Sequence, residues 1–446
     1  MKRSRWCSAV VSLGLLTGCG GGSSGGGSVI APTPSTTPTP SPTPSPTPTA
    51  SISFLHIFGV GETDGFQPNG PPLQASDGNF YGTTRNGGAN TCRPVSPVPC
   101  GVIFRITPTG EESVLHTFGA GATDGYSSLS ALIQGGDGAL YGTTSNGGAY
   151  GGGGTVFRIS LDGSSYRTIY SFSGANGEGD TLPGSLVFGK DGNLYGVTSS
   201  GGANHCAQIP RSGPNCGTVF KLTPSGTLTT LQSFGRTATD GVQPNGPLVQ
   251  TSDGSLYGTT GLGGANDRGT IFRISPDGNM SIIYSFGATT GDPSSPQGSL
   301  LVGADGALYG TTPSGGAGAC QYGCGVVYRL DPATAKLTIV YAFGRDGIND
   351  GQGPSPFLAM GRDGNLYGTT RSGGANGGGT AFRLTLEGAI GTLFAFGPIQ
   401  KQPYDPEMGL IEGQDGALYG MTFYNEGLGG VGNRPGFGAM YKLTIR

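Results

Sequence analysis

The sequence is poor in charge, in histidine and in tryptophan. Charged residues make up only 11% of the 446 residues, where about a quarter is usual, and the formal net charge is −3. No run of Lys or Arg occurs, which argues against nucleic acid or another polyanion as a partner. The single Trp is Trp6, near the start, and the three His are scattered. The folded part therefore lacks a tryptophan platform for stacking sugars and a histidine-rich metal motif.

Long hydrophobic runs are also missing. The one apolar run near the start, residues 9–16, is too short to span a bilayer, which needs about 20 apolar residues. It follows a basic start and ends in LTGC at residues 16–19, which resembles the lipobox of bacterial lipoproteins. The resemblance implies cleavage before Cys19 and lipidation of its sulfur, so that acylated Cys19 anchors the chain in a lipid bilayer. An ordinary secretory signal at residues 1–18 is the alternative.

The residues after the predicted signal have nothing to bury. Residues 19–50 begin with a Gly/Ser-rich stretch and continue as APTPSTTPTPSPTPSPTPTA, which indicates a disordered tether whose Pro/Thr part is extended. Gly20 follows the Cys at a position where, in the lipoprotein sorting pattern, an Asp would retain the protein at the inner membrane. The resemblance therefore favours an outer-membrane lipoprotein of the cell envelope, facing the periplasm or exposed at the cell surface.

The rest of the chain, residues 51–446, is repetitive. The 90 Gly and 32 Pro would suggest disorder on their own. However, an Asp-Gly turn followed by a short aromatic strand returns at intervals of 52 to 62 residues, which suits a unit of about four strands. The seven aspartates of this phrase are Asp77, Asp137, Asp191, Asp253, Asp305, Asp363 and Asp415.

The fourth repeat shows the predicted strands most plainly. We expect strands at residues 248–251, 255–260, 269–275 and 280–286, separated by turn residues. In the last of these, alternation predicts that Ile282, Tyr284 and Phe286 point to one face. Asp253-Gly254 and Asp277-Gly278 supply the positive φ of tight hairpins.

These repeats predict an all-β fold, a seven-bladed β-propeller of four-stranded antiparallel blades. The last repeat ends without a fourth strand, whereas a spare strand, residues 52–59, precedes the first repeat. Pairing this N-terminal strand with the last three C-terminal strands would close the ring and remove open sheet edges. An open β-solenoid is the competing architecture, but it has no use for the spare strand. We expect a monomer.

The repeated phrases DG-x-LYGTT-xx-GGA, GTVFR and YSFG resemble the GloVer tandem repeat of choice-of-anchor bacterial surface proteins. The resemblance covers nearly everything after residue 52, with a close fit in six repeats and a departure in the seventh, DGALYGMTFYNEGLGG. It implies surface display with variable modes of attachment, and it brings no activity with it.

Six cysteines remain after Cys7 and Cys19, and they predict three local disulfides. Each pair lies between the GGA phrase and the third strand, so both partners share one loop. An oxidising compartment follows. Zinc is the alternative, and it fails because only His205 lies near any pair and four ligands do not assemble. The pairs are Cys92 with Cys100, Cys206 with Cys216, and Cys320 with Cys324.

The rim that carries these loops is the predicted binding surface, because it also carries the loops between blades. An Asp recurs in those loops and could hold calcium, although each loop supplies only one carboxylate and such an Asp usually closes its own turn. His56 and His116 share one aligned strand position, which indicates packing rather than catalysis. The recurring aspartates are Asp64, Asp124, Asp180, Asp240, Asp292, Asp350 and Asp405.

The sequence contains no catalytic constellation and implies no cofactor. We therefore expect a lipid-anchored binding scaffold of the cell envelope, with a glycan or another envelope protein as its partner. The alternative is a carbohydrate-active or lyase-type propeller enzyme, because two rim aspartates about 5 to 10 Å apart could serve a glycosidase.

Overall fold

In the computed structural model the repeats fold as predicted into seven antiparallel sheets of four or five strands, and two further pairs of short strands form two-stranded sheets. The predicted signal peptide, Cys19 and almost all of the tether lie outside the residues that the structure describes. Those residues are 49–446 except for 62, 93–98, 176, 183, 205, 207–215, 238, 290, 317–319, 322, 346, 348, 398–402, 426–437 and 446.

Each of blades 1 to 6 comes from one repeat, and its strands pair antiparallel with one another. Blade 1 contains β2 (Gly65–Gln74), β3 (Phe80–Gly87), β4 (Val102–Ile106) and β5 (Glu112–Thr117); blade 2 contains β6 (Gly125–Tyr126), β7 (Ile133–Gln134), β8 (Leu140–Thr144), β9 (Asn146–Gly147), β10 (Thr155–Ile159) and β11 (Tyr166–Ser171); blade 3 contains β12 (Val187–Phe188), β13 (Leu194–Thr198), β14 (Thr218–Leu222) and β15 (Leu228–Ser233).

The remaining blades follow the same plan. Blade 4 contains β16 (Gly241–Pro244), β17 (Val249–Gln250), β18 (Leu256–Gly263), β19 (Thr270–Ile274) and β20 (Met280–Ser285); blade 5 contains β21 (Leu301–Val302), β22 (Leu308–Thr312), β23 (Val326–Asp331) and β24 (Lys336–Ala342); blade 6 contains β25 (Gln352–Pro354), β26 (Ala359–Met360), β27 (Leu366–Ser372), β28 (Thr380–Leu384) and β29 (Ile390–Ala395); blade 7 contains β30 (Pro403–Tyr404), β31 (Leu410–Glu412), β32 (Leu418–Thr422), β33 (Tyr424–Asn425) and β34 (Ala439–Ile445).

The N-terminal strand closes the ring. Strand β1 (Ala50–Ile57) pairs antiparallel with β34, with Ile52 opposite Leu443 and Ile57 opposite Ala439. Blade 7 therefore takes its outer strand from the N-terminal end and its other strands from the C-terminal end. This confirms the predicted closure. The described residues contain no helix, and so none that could cross a membrane.

The core lies between neighbouring blades. Buried apolar side chains form seven clusters. The third strand of each blade supplies a large ring, and the glycine of LYGTT lies against it. A Cβ on Gly142 would lie only 2.5 Å from Cζ of Phe157, which is too close for any side chain. The repeated glycine is therefore required by packing.

Two details of the fourth repeat differ from the prediction. The expectation that Ile282, Tyr284 and Phe286 share a face is wrong, because a bulge shifts the register between the pairs Ile271–Tyr284 and Phe272–Ile282. Ile282 packs toward blade 3, whereas Tyr284 and Phe286 pack toward blade 5. In addition, a short strand, β16, precedes β17 at the start of this blade. It lies in a segment whose Pro and Gly indicated a loop.

The short pairings at the start of several blades place the inter-blade loops and the loops between second and third strands at the same end of the ring. Gly65 pairs with Gly87, Gly125 with Gly147, and Gly241 with Gly263. The residues that follow each inter-blade loop thus lie beside those that precede each loop between second and third strands. We call this end the loop rim, and the opposite end, with its tight Asp-Gly turns, the turn rim.

Candidate functional site

Most of the predicted rim aspartates close their own turns. Asp64 Oδ2 accepts a hydrogen bond of 2.7 Å from the amide of Gly59, and Asp350 accepts from the amide of Gly344 at 3.0 Å. These carboxylates satisfy backbone amides of the inter-blade turn instead of converging on a common centre. The five that act in this way are Asp64, Asp124, Asp240, Asp292 and Asp350.

Asp180 and Asp405 occupy other places in the repeat. In blade 3 the turn is closed by Glu178, whose carboxylate accepts from the amide and hydroxyl of Ser173. Asp405 has a φ of 61°, which is unusual for a residue other than glycine. Its amide donates to the carbonyl of Gly378 in blade 6, at 3.1 Å. The seven aspartates are therefore not one equivalent ring.

The position of Asp405 recurs in every blade and turns the chain toward the centre of the ring. Its backbone has a positive φ in each case. Two residues further along, the side chains of several blades line a central cavity of about 320 Å³, which is within the range of ligand pockets. The positive-φ residues are Gln67, Ser127, Thr181, Gln243, Ser295, Gly353 and Asp405.

Among the described residues, six blades contribute to the lining of the central cavity, which mixes apolar with amide side chains. Leu129, Phe357 and Met408 supply apolar surface, whereas the amides come from other blades. The Oδ1 atom of Asn245 is buried and has no hydrogen-bond partner. A buried unpartnered carbonyl costs free energy unless a ligand or water satisfies it. The amide side chains are those of Asn69, Asn245 and Gln297.

One side of the cavity is lined by Arg371 and Glu407, and Asp405 lies beside them. Arg371, near the end of β27, forms an ion pair with Glu407 and lies 3.8 Å from Oδ1 of Asp405. Burial and, secondarily, the charge of Glu407 raise the pKa of Asp405 to about 7. Burial also raises the pKa of Glu407, although Arg371 opposes that shift. A carboxyl that titrates near neutrality can transfer protons.

The sequence analysis missed these cavity residues. Asn69, Asn245, Gln297 and Glu407 occupy one aligned position in segments rich in Pro and Gly, such as QPNGP, which indicate a loop. This position changes from repeat to repeat, but the residues on either side of it change as well, so variation alone did not single it out. No sequence feature marked Arg371 as a cavity residue.

All three predicted disulfides are present. The Cα atoms lie 5.3 Å apart in Cys92–Cys100, 5.6 Å apart in Cys206–Cys216 and 5.1 Å apart in Cys320–Cys324. Each bridge adds at least one buried cysteine to the core beside the Phe that ends the outer strand. Residues 93–98 and 207–215 within two of the bridges and residue 322 within the third, together with nearby His205 and residues 317–319, lie outside the described residues. The bridges indicate an oxidising, extracellular or envelope environment.

The turn rim is a structural framework. In the fifth repeat, Asp305 Oδ2 accepts from the hydroxyl of Tyr309 at 3.1 Å and pairs with Arg329 at 2.8 Å. Burial would raise the pKa of Asp305, but the hydrogen bonds from Arg329 and Tyr309 lower it below its ordinary value. The same Asp–Tyr bond occurs in six of the seven repeats. The polar side chains of the turn rim thus satisfy one another through hydrogen bonds and ion pairs.

The chain belongs to the Gloeobacter/Verrucomicrobia repeat family, whose sequence pattern matches residues 16–214 and 208–433. The resemblance noted in the sequence is thereby confirmed. No curated protein matches the chain.

Solved structures similar to this chain are propellers of several kinds. An oligogalacturonate lyase from Vibrio parahaemolyticus is 12% identical with a TM-score of 0.52, over 89% of this chain and 97% of that one. A putative gluconolactonase is 15% identical with a TM-score of 0.40, over 78% and 94%. TolB from Acinetobacter baumannii is 15% identical with a TM-score of 0.38, over 74% and 63%. At such low identity the likeness to the lyase concerns the fold alone.

Proposed function

We propose that this protein is a lipid-anchored binding module of the cell envelope whose central cavity takes part of a hydroxyl-rich ligand, such as a glycan. The observation that carries the proposal is the convergence of amide side chains from separate blades on one cavity of about 320 Å³. Amides donate and accept hydrogen bonds at once, as sugar hydroxyls do. Asn245, whose buried Oδ1 has no hydrogen-bond partner, is one of these amide side chains.

The remaining parts fit this role. The lipobox-like LTGC at residues 16–19 and the Pro/Thr-rich tether would hold the propeller at a membrane and away from the lipid. Disulfides protect loops in the oxidising envelope. Gly20 after the predicted lipidation site, Cys19, supports an outer-membrane position at the periplasmic or external face.

A glycan array followed by calorimetry tests the proposal. Asn245→Ala is expected to weaken the binding of an array hit by about tenfold, the effect of losing one neutral hydrogen bond. Asn279→Ala is the matched control, because Asn279 is exposed in a hairpin turn at the turn rim and bonds only locally to Asp277. Binding that Asn245→Ala leaves unchanged, or an array without hits, would contradict the proposal.

The second candidate is an enzyme of the carbohydrate hydrolase or lyase type. It is favoured by Asp405, whose raised pKa of about 7 suits a general acid or base, beside Glu407 and Arg371. The same ligands can be analysed for products. An enzyme would lose turnover in Asp405→Asn while retaining binding, whereas a binding module would release no product in either form.

A further inference from the structure

Three buried polar atoms without hydrogen-bond partners come together where the closing blade meets blade 1. They are Nε2 of His56, Oδ1 of Asp64 and Oε1 of Glu112. His56 lies in β1, Asp64 in the loop that follows it, and Glu112 at the start of β5. One donor atom from each residue lies within 4.8 Å of the others. We call this group the closing-seam cluster.

The seam between blades 1 and 2 contains a copy in which every partner is supplied. Nε2 of His116 bonds to Oδ2 of Asp124 at 3.0 Å, and the hydroxyl of Tyr166 donates to Oδ1 of Asp124 at 2.5 Å. The rings of His116 and Tyr166 stack with centroids 3.6 Å apart. Tyr166 in this copy occupies the place of Glu112 in the closing seam.

The carboxylate at this place is peculiar to the closing seam. The place lies four residues before the position that His56 and His116 occupy in their outer strands, and the five seams other than these two put apolar side chains there. Those residues are Leu228, Met280, Leu337, Ile390 and Ile52. Glu112 is therefore a departure from the repeat and not part of its framework.

In the part of the chain that the structure describes, no Lys or Arg forms an ion pair with either carboxylate of the closing-seam cluster. The side chain of Asp64 is only 7% exposed, and Nε2 of His56 lies 3.4 Å from its Oδ2, beyond the usual hydrogen-bond range of about 2.7–3.2 Å. Burial and then the charge of Asp64 raise the pKa of Glu112, although His56 opposes this shift. Asp64 is buried and Glu112 half-buried, and two neighbouring carboxylates with buried, unpartnered oxygens are costly unless a cation joins them.

We propose that His56, Asp64 and Glu112 bind one divalent transition-metal ion of the zinc type. An imidazole nitrogen with two carboxylate oxygens suits zinc, which commonly takes three protein ligands and a water. Calcium and magnesium prefer shells made of oxygen alone. The amide of Gly59, bonded to Oδ2 of Asp64, orients the carboxylate and leaves Oδ1 for the ion.

The ion would act as a structural clip. It joins β1, which belongs to the closing blade, to β5 of blade 1, so it holds the ring where its two chain ends meet. Strand β1 also directly follows the Pro/Thr-rich segment, so it is the strand on which a tethered anchor would pull. Binding only the closed ring stabilises it by mass action.

Zinc titration of the full-length protein, after removal of metals with a chelator, tests this inference. We expect one zinc ion per chain by calorimetry and a melting temperature that rises by several degrees with zinc. Glu112→Tyr rebuilds the arrangement of Tyr166 and should abolish both effects. Tyr166→Glu is the reverse change and should add a second ion.

Controls separate loss of the site from loss of the fold. Circular dichroism checks that each variant is folded, and Glu112→Gln, which keeps the shape of the side chain, replaces Glu112→Tyr if that variant fails. Zinc binding that persists in a folded Glu112 variant would overturn the inference. So would the absence of zinc binding by the unaltered protein, or a thermal shift with calcium but not with zinc.

Discussion

The two histidine seams of the ring show how one residue changes the chemistry of a repeated structure. Both place a His of an outer strand beside the Asp that closes the next turn. Where the third residue is Tyr166, its hydroxyl and ring complete a closed network. Where it is Glu112, three polar atoms remain buried without partners. In a repeat protein the framework is thus common, and the departures from it mark the places that can bind something.

The same lesson applies to the two rims. At the turn rim the Asp of the repeated phrase is bonded by Tyr and a third-strand cation, as at Asp305. The central cavity, by contrast, is lined at a position that differs between blades, and Asn245 leaves a buried oxygen unpartnered there. The polar groups of the turn rim thus follow the repeat, whereas the candidate ligand-binding groups of the cavity differ from blade to blade.

Removing β1 should have the largest effect on stability. It deletes the closing seam and leaves the seam between blades 1 and 2 intact. Deleting residues 50–57 exposes the edge of β34 and removes His56. We expect the protein to unfold or to oligomerise through that edge. Light scattering and thermal unfolding measure this. Deleting residues 20–48 of the predicted tether is the control, and a deletion of 50–57 that melted like the intact protein would contradict ring closure.

Tyr166→Phe makes the seam between blades 1 and 2 more like the closing seam, because it leaves an oxygen of Asp124 without its hydroxyl donor. It removes the hydroxyl that donates to Asp124 and keeps the ring that stacks on His116. We expect the free energy of unfolding to fall by about 1.5–3 kcal/mol, the range for hydrogen bonds to charged groups. Urea denaturation measures it. Tyr150→Phe, at a tyrosine that is 68% exposed, should change stability by less than about 0.5 kcal/mol.

If Tyr166→Phe and Tyr150→Phe were equally stable, the hydrogen bond from Tyr166 to Asp124 would contribute nothing to stability. The two seams would then differ in packing alone.

The architecture was readable from the sequence for a physical reason. A blade is built from local antiparallel pairings, so its turns and strands follow one another in the chain and recur with it. The spare N-terminal strand and the missing last strand predicted closure by counting alone. The disulfides were equally local, since each pair shares a loop.

The sites were less readable because they join residues across blades. Glu112 meets His56 only because the outer strand of one blade packs against the inter-blade loop of the blade before it. From the sequence, the histidines were scattered and Glu112 was an ordinary strand residue. Asp180 and Asp405 looked like members of the recurring set because spacing alone could not show that Glu178 closes the turn in blade 3.

The smallest expected effect is a difference in pH dependence between the seams. Burial and Asp64 raise the pKa of Glu112 above 4.5, so its contribution to stability is present below that value and is lost as the pH rises through the raised pKa. At Asp124 burial is outweighed by hydrogen bonds from His116 and Tyr166, which lower the pKa below 3.8. That contribution is present above 3.8 and is lost as the pH falls through the lowered pKa.

Chemical denaturation of metal-free protein across this pH range measures both effects. Relative to Glu112→Gln, the unaltered protein should lose stability as the pH rises above 4.5, whereas relative to Asp124→Asn it should lose stability as the pH falls below 3.8. Zinc at neutral pH should cancel the first loss and leave the second unchanged, because metal ligation requires the deprotonated carboxylate and supplies the missing charge. If the stability difference from the unaltered protein changed with pH in the same direction for Glu112→Gln and Asp124→Asn, the two seams would be electrostatically equivalent. The unpartnered atoms of the closing seam would then be satisfied without an ion.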